Sequence, residues 1–122
     1  MEVHRPFSDP AVNLHELLAR VDNDRELLRE LVVLFKDDFP HQISALHGAI
    51  AEADLKTTER ASHTLKGMLL SLAAARAVAA AAQLEQLARA QDAAALPSAL
   101  KVLENEMALL LPELEVHLAK YE

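Results

Sequence analysis

Apolar positions recur at intervals of three and four along nearly the whole chain, and nowhere with the alternation of a strand. Asn13 opens a first, short helix. Glu16 lies three residues on, a capping-box pattern, and Leu14, Leu17, Leu18 and Val21 form one apolar side. Asn23 and Glu26 repeat the box. The next segment, about Asp24 to Asp38, is apolar over a broad face through Leu27, Leu28, Leu31, Val32, Leu34 and Phe35, enough for two neighbours. Pro40 interrupts the pattern and disfavours helical geometry at Phe39, so a bend or a fresh start is expected there. Ile43, Leu46, Ile50 and Ala53 then resume helical spacing.

Asp54 is a candidate N-cap for a helix over Asp54–Leu72, DLKTTERASHTLKGMLLSL. Its end is expected near Ala73, although no Gly or Pro marks the stop. Ala74 to Ala90 is Ala-rich, with a seam of Ala77, Ala81, Leu84 and Ala88 flanked by Val78 and Leu87. Small seam residues let a neighbouring helix come close. Gln91-Asp92 reads as a turn. The last helix begins at Asp92 or at Pro97 and carries Leu96, Leu100, Leu103, Met107, Leu110, Leu114 and Leu118 at bundle spacing. Pro112 should kink or weaken it near Ala108 by removing one backbone bond. Short connections make successive helices antiparallel. The expected fold is therefore all-α, an antiparallel up-down-up-down four-helix bundle with a short N-terminal capping helix. Residues 1–12, with Pro6 and Pro10, read as an N-terminal arm, and residues 13–122 as a single domain.

Composition agrees and narrows the classes. The 122 residues suffice for one domain with a real core, and 52% are apolar. A net charge of −7 argues against a nucleic-acid binder. The absence of Cys excludes disulfides, thiolate metal sites and a Cys nucleophile. No apolar run reaches the ~18 residues of a membrane span, and MEVHRPFSDP has no signal-peptide core. No membrane association is expected, and a cytoplasmic location is the default.

Candidate chemistry centres on one residue. His4, His15, His41, His47, His63 and His117 form no HxxxH or ExxH pair, so no metal is expected. Neither a GxSxG nor a P-loop is present, and a filled bundle offers no natural cleft, so a free-standing enzyme is not expected. His63 stands apart. At 100° per residue, Lys56, Glu59, Arg60, Lys66, Gly67 and Leu70 fall within about 60° of it, while Ala61, Leu65, Met68 and Leu72 lie opposite. An exposed neutral imidazole is nucleophilic near pH 7. Lys66, one turn away, would lower the cost of a phosphoryl group carried there. Gly67 weakens a helix interior by about 1 kcal/mol relative to Ala, which suggests that something must approach closely. Glu85 or Gln86 on the following helix could hold one ring nitrogen so that the other faces out.

The segment ASHTLKG, Ala61 to Gly67, resembles the signature of histidine-containing phosphotransfer (HPt) domains. The pair Leu84-Glu85 looks like the family's "LE" on the next helix, and LLRELVVLFKDDFP, Leu27 to Pro40, is similar to its leading helix. The resemblance spans about Leu14 to Leu118. It implies a phosphocarrier in a two-component multistep phosphorelay, with His63 as the phosphoacceptor. Lys66 would neighbour the phosphate, and Glu85 would orient His63. Gly67, Leu70, Glu59 and Arg60 would form the partner-docking surface. The implied partner is the receiver domain of a response regulator or hybrid histidine kinase. That partner would supply the Asp and the Mg²⁺, so the chain needs no cofactor of its own, acts as a carrier and not an enzyme, and is expected to be monomeric. Two alternatives stand beside this reading: a helical binding module that takes no phosphate, and a substrate module of one histidine kinase. The chain also departs from the family's pattern. Met68, Leu69 and Leu70 replace small residues after Gly67, and Ala73 replaces a Gly. Met68 and Leu69 can face the core, Leu69 towards its edge. Leu70 must stay on the His63 face.

Overall fold

The computed structural model describes residues 10–119. Helix α1 spans Leu14–Arg20, α2 Arg25–Ala51, α3 Leu55–Ser71, α4 Ala75–Arg89 and α5 Leu96–Ala119, with a 3-10 turn at Ala93–Ala95 before α5. The described residues contain no strand. Residues 1–9 of the expected arm lie outside the described part. Its last two, Ala11 and Val12, are buried against the core, and the Val12 N–H donates to Glu113 Oε2 at 2.6 Å.

Local chemistry sets the helix starts. Asn13 accepts from the Glu16 N–H at 3.0 Å, and Asp24 from that of Leu27 at 3.0 Å. Asp24, not Asn23, is thus the second cap. Asn23 instead adopts a left-handed φ of 60°. Asp54 accepts from the Thr57 N–H at 3.1 Å and from its hydroxyl at 2.7 Å. The stops are less conventional. Asp22, Ala53, Ala73 and Gln91 each follow a helix C-cap with φ between 54° and 59°, where Gly is the usual occupant. At Ala73 the Ala74 N–H reaches back to the Leu69 carbonyl at 3.2 Å and the Ala73 N–H to that of Leu70 at 3.1 Å. These bonds satisfy the last carbonyls and offset a left-handed cost of about 1 kcal/mol. The two glycines, Gly48 and Gly67, sit inside helices instead.

Pro40 does not start a new helix, as the sequence suggested it could: α2 runs unbroken for 27 residues. Proline removes only one backbone bond, and the flanking residues hold the helix together. Phe35 is buried and stacks on Phe39 at 5.4 Å, and Leu46 is buried one turn beyond Ile43. Pro112 is likewise accommodated within α5. The expected α5 seam is buried from Leu96 to Leu114, and the expected α4 seam of Ala77, Ala81, Leu84 and Ala88 is buried throughout. On α3 the order after Gly67 is reversed. Leu69 is fully buried and Met68 lies at the edge of the core.

α3 packs most extensively on α4; α2 on α3 and α4 on α5 follow, and α2 meets α5 less than any of these. Side-chain pairs give the directions. Lys36–Glu115 and His47–Glu104 step oppositely along α2 and α5, as do Glu59–Arg89 and Lys66–Glu85 along α3 and α4. Each of these helix pairs is therefore antiparallel. α1 is tied to the end of α3 by Arg20, whose guanidinium donates to the Leu70 carbonyl, and by the Asn13 N–H, which donates to the Ala73 carbonyl at 3.0 Å. One apolar cluster joins Leu17, Leu28, Leu65, Leu84 and Leu103, drawing on all five helices. Among the described residues, no helix is long and apolar enough to cross a membrane.

Candidate functional site

α3 turns its small and apolar residues inward. Thr58, Ala61, Ser62, Leu65 and Leu69 are buried, and the Thr58 and Ser62 hydroxyls satisfy themselves on the carbonyls four residues back at 2.8 and 2.7 Å. The opposite face, with His63 at its centre, is left outside. The His63 side chain is 66% exposed. Its Nδ1 lies 2.8 Å from Glu85 Oε2 on α4.

Glu85 is the centre of the arrangement. Its side chain is 3% exposed, a carboxylate in the α3–α4 interface. Lys66 Nζ donates to Oε1 at 2.6 Å, and Arg89 Nη2 donates to Oε2 at 2.9 Å, sharing that oxygen with His63. These contacts compensate the burial of its charge. The Lys66 hydrogen bond, followed by that of His63 and the charges of Lys66 and Arg89, holds the Glu85 carboxyl below the usual glutamate range against the opposing effect of burial. Glu85 is accordingly ionised at neutral pH and can only accept. The proton of the neutral imidazole must then sit on Nδ1, which leaves the Nε2 lone pair for chemistry.

Arg89 was not singled out by the sequence reading. It bridges Glu85 and Glu59, its Nε donating to Glu59 Oε1 at 2.9 Å, and the Glu59 hydrogen bond leads the effects that raise its pKa. The i, i+4 spacing of Glu85 and Arg89 was the available signal. Glu59 is thus engaged inside the molecule, whereas Arg60 is exposed. Lys66, expected to be exposed, is 26% so and committed to Glu85. Gln86 is exposed, leaving the orienting contact to Glu85.

Lys56, Glu59, Arg60, His63, Glu85 and Arg89 line a shallow depression of about 320 Å³. Towards the C-terminal end of α3, a Cβ added at Gly67 would meet nothing within 4 Å. The fold therefore does not require glycine there. The same is true at Gly48, for which nothing in the structure gives a reason. Leu70 is 46% exposed on the His63 side, beside Arg20 and Val78. Among the described residues, no group of three or more His, Asp or Glu is placed to hold a metal ion.

A family model described as "Hpt domain" matches residues 30–113, which include His63 and Glu85. No curated protein and no solved structure gives a match.

Proposed function

The chain belongs to the Hpt domain family, whose members serve phosphotransfer in two-component phosphorelays, and from that premise we propose that His63 is the residue that carries the phosphoryl group. The observation that carries the reading is the His63 Nδ1–Glu85 contact of 2.8 Å on an imidazole whose other edge is open to solvent. Nε2 attacks the phosphorus of an aspartyl phosphate. The N–P bond forms as the O–P bond breaks, and the aspartate leaves as a carboxylate. The ring, still protonated at Nδ1, becomes cationic, and Glu85 already lies where that charge develops. Lys66 can turn from Glu85 towards the incoming phosphoryl oxygens, because Arg89 stays on Glu85. The return transfer runs the same steps backwards.

The phosphoryl donor and acceptor is a receiver domain of a response regulator or hybrid histidine kinase. It supplies the Asp and the Mg²⁺, so this chain is a carrier and not an enzyme. Gly67 clears space for the rim of that receiver, and Leu70 gives it an apolar contact. The helices form an up-down-up-down bundle capped by α1, a single domain over residues 13–122, monomeric and cytoplasmic.

Incubation with a panel of phosphorylated receivers tests the reading. Wild type is expected to acquire acid-labile, alkali-stable label, and His63→Gln none. Undiminished labelling of that variant would remove His63 from the mechanism. The exposure of Leu70 favours a second reading, a helical module that binds a receiver without taking phosphate. Receiver binding with no label on His63 would select it. Labelling directly from ATP by a kinase catalytic domain, and not by any receiver, would instead mark a kinase substrate module.

A further inference from the structure

Lys56, His63 and Leu70 are spaced seven apart, so they lie in nearly a straight line along the exposed face of α3. The line is about 20 Å long at 1.5 Å per residue. Its two ends differ. Around the first, the Lys56 and Arg60 side chains are exposed and hold no hydrogen bond or ion pair among the described residues. Asp54, on the helix cap, is occupied by the Thr57 N–H and hydroxyl and the Lys56 backbone N–H, and the charge of Arg60 acts on it without an ion pair. The other cations of the site are paired before a phosphoryl group arrives: Lys66 with Glu85, and Arg89 with Glu59 and Glu85. Both carboxylates of the depression are therefore already answered, and the charge left facing outward there is positive, on a chain whose net charge is −7. The second end presents Gly67 and the half-exposed Leu70, and the charges beside Leu70, Arg20 and Glu16, are paired with each other.

We propose that Lys56 and Arg60 form a recognition edge for an acidic rim of the partner and so fix the direction in which it lies along α3. The inference rests on His63 being the phosphoacceptor. Any phosphoryl donor brings a group of nearly two negative charges on a carboxylate, and a strongly acidic carrier repels it at long range. Two cations without an ion pair among the described residues, one to two turns from His63, reverse the local sign. The partner's acidic rim then sits over the N-terminal half of α3, and its apolar part over Leu70. Steering of this kind acts on the association rate and fades as salt shortens the screening length.

The test is the second-order rate of label transfer from the receiver that labels wild type fastest, measured at low and at high salt. The double variant Lys56→Glu with Arg60→Glu is expected to be slowed about tenfold or more at low salt, and to approach wild type at high salt. Lys101→Glu, an exposed charge reversal on α5, is expected to transfer as wild type does. Leu70→Ala is expected to weaken transfer by a factor that salt does not change. Labelling of His63 by phosphoramidate, a small donor that needs no docking surface, separates the two readings. If the double variant takes label from phosphoramidate as wild type does, the phosphoacceptor is intact and only docking has changed. Absence of phosphoramidate label on wild-type His63 would instead fail the underlying assignment. Unchanged receiver transfer in the double variant, a slowing independent of salt, or an equal slowing in Lys101→Glu overturns the proposed edge.

Discussion

The α3–α4 pair and the α2–α5 pair are both antiparallel and both joined by ion pairs, yet they are built on opposite terms. In α3–α4, small residues bring the backbones together: Ala61 and Ser62 face a helix whose Ala77, Ala80, Ala81 and Ala88 are buried. In α2–α5, each helix carries an interior proline, Pro40 and Pro112, and a groove of about 530 Å³ lies between them, lined by Phe39, Pro40, Ile43, Met107 and Leu111. The ion pairs follow suit. Glu85 is 3% exposed and holds three partners, whereas His47 and Glu104 meet at 3.0 Å with side chains 57% and 40% exposed. Side-chain contacts of similar length thus do different things. Where the helices close tightly, the carboxylate is shielded and fixes the geometry of its partners. Where they splay, water competes for both members and the pair contributes little.

The sharpest way to break the contrast is to overfill each interface. Ala81→Leu, at a site with no exposed surface, is expected to cost about 3 kcal/mol and to separate α3 from α4. Ala108→Leu, on the wall of the open groove, is expected to stay within about 0.5 kcal/mol of wild type. Urea unfolding of the two variants checks the pair, and equal losses would dissolve the distinction.

Next comes the buried carboxylate. Glu85→Ala is expected to lose about 2 kcal/mol by leaving Lys66 without its acceptor and Arg89 with Glu59 alone. It is also expected to slow transfer through His63, because Nδ1 loses its anchor. The pH dependence sharpens this. The folded-state pKa of Glu85 is depressed, so its contribution is fully present above the unfolded value of about 4.3 and is lost as pH falls through the folded value. The stability gap between wild type and Glu85→Gln should therefore be constant near neutrality and shrink in acid, below about pH 4. A gap that widened on acidification would contradict the ionised state.

Pro40→Ala follows, with an expected gain of about 1 kcal/mol as the Lys36 carbonyl recovers a donor; thermal melting by circular dichroism measures it. The smallest effect belongs to Glu104→Ala on the groove rim, expected to cost no more than about 0.5 kcal/mol by the same measurement. A loss as large as that of Glu85→Ala would make exposure irrelevant to the ion pairs.

Much of this was legible along the chain. The apolar spacing gave the seams of α4 and α5, the Asn13 and Asp54 caps acted as read, and the exposed face of α3 was centred on His63 as the helical period required. Other features were not. Pro40 reads as a break in any single segment, and only the stacking of Phe35 on Phe39 and the packed residues beyond show why the helix continues. The ends of α2 and α3 carry no glycine, because bonds made by the backbone itself satisfy the last carbonyls at Ala53 and Ala73. An ideal wheel put Met68 deeper than Leu69 and the structure reverses them, since their exposure depends on where α2 and α4 lie.

What the sequence determined by itself is therefore whatever depends on neighbours within a turn or two: which stretches are helical, which face of each is apolar, and that His63 with Gly67 stands on the polar side of α3. What the tertiary structure alone decided is the state of the charges on that face. Glu85, Lys66, Arg89 and Glu59 lie on two helices, and only their close packing makes one carboxylate buried and two cations occupied, and leaves a third and fourth, Lys56 and Arg60, without an ion pair among the described residues. The physical reason is distance and desolvation. Both are set between elements, and neither is written in the spacing along one.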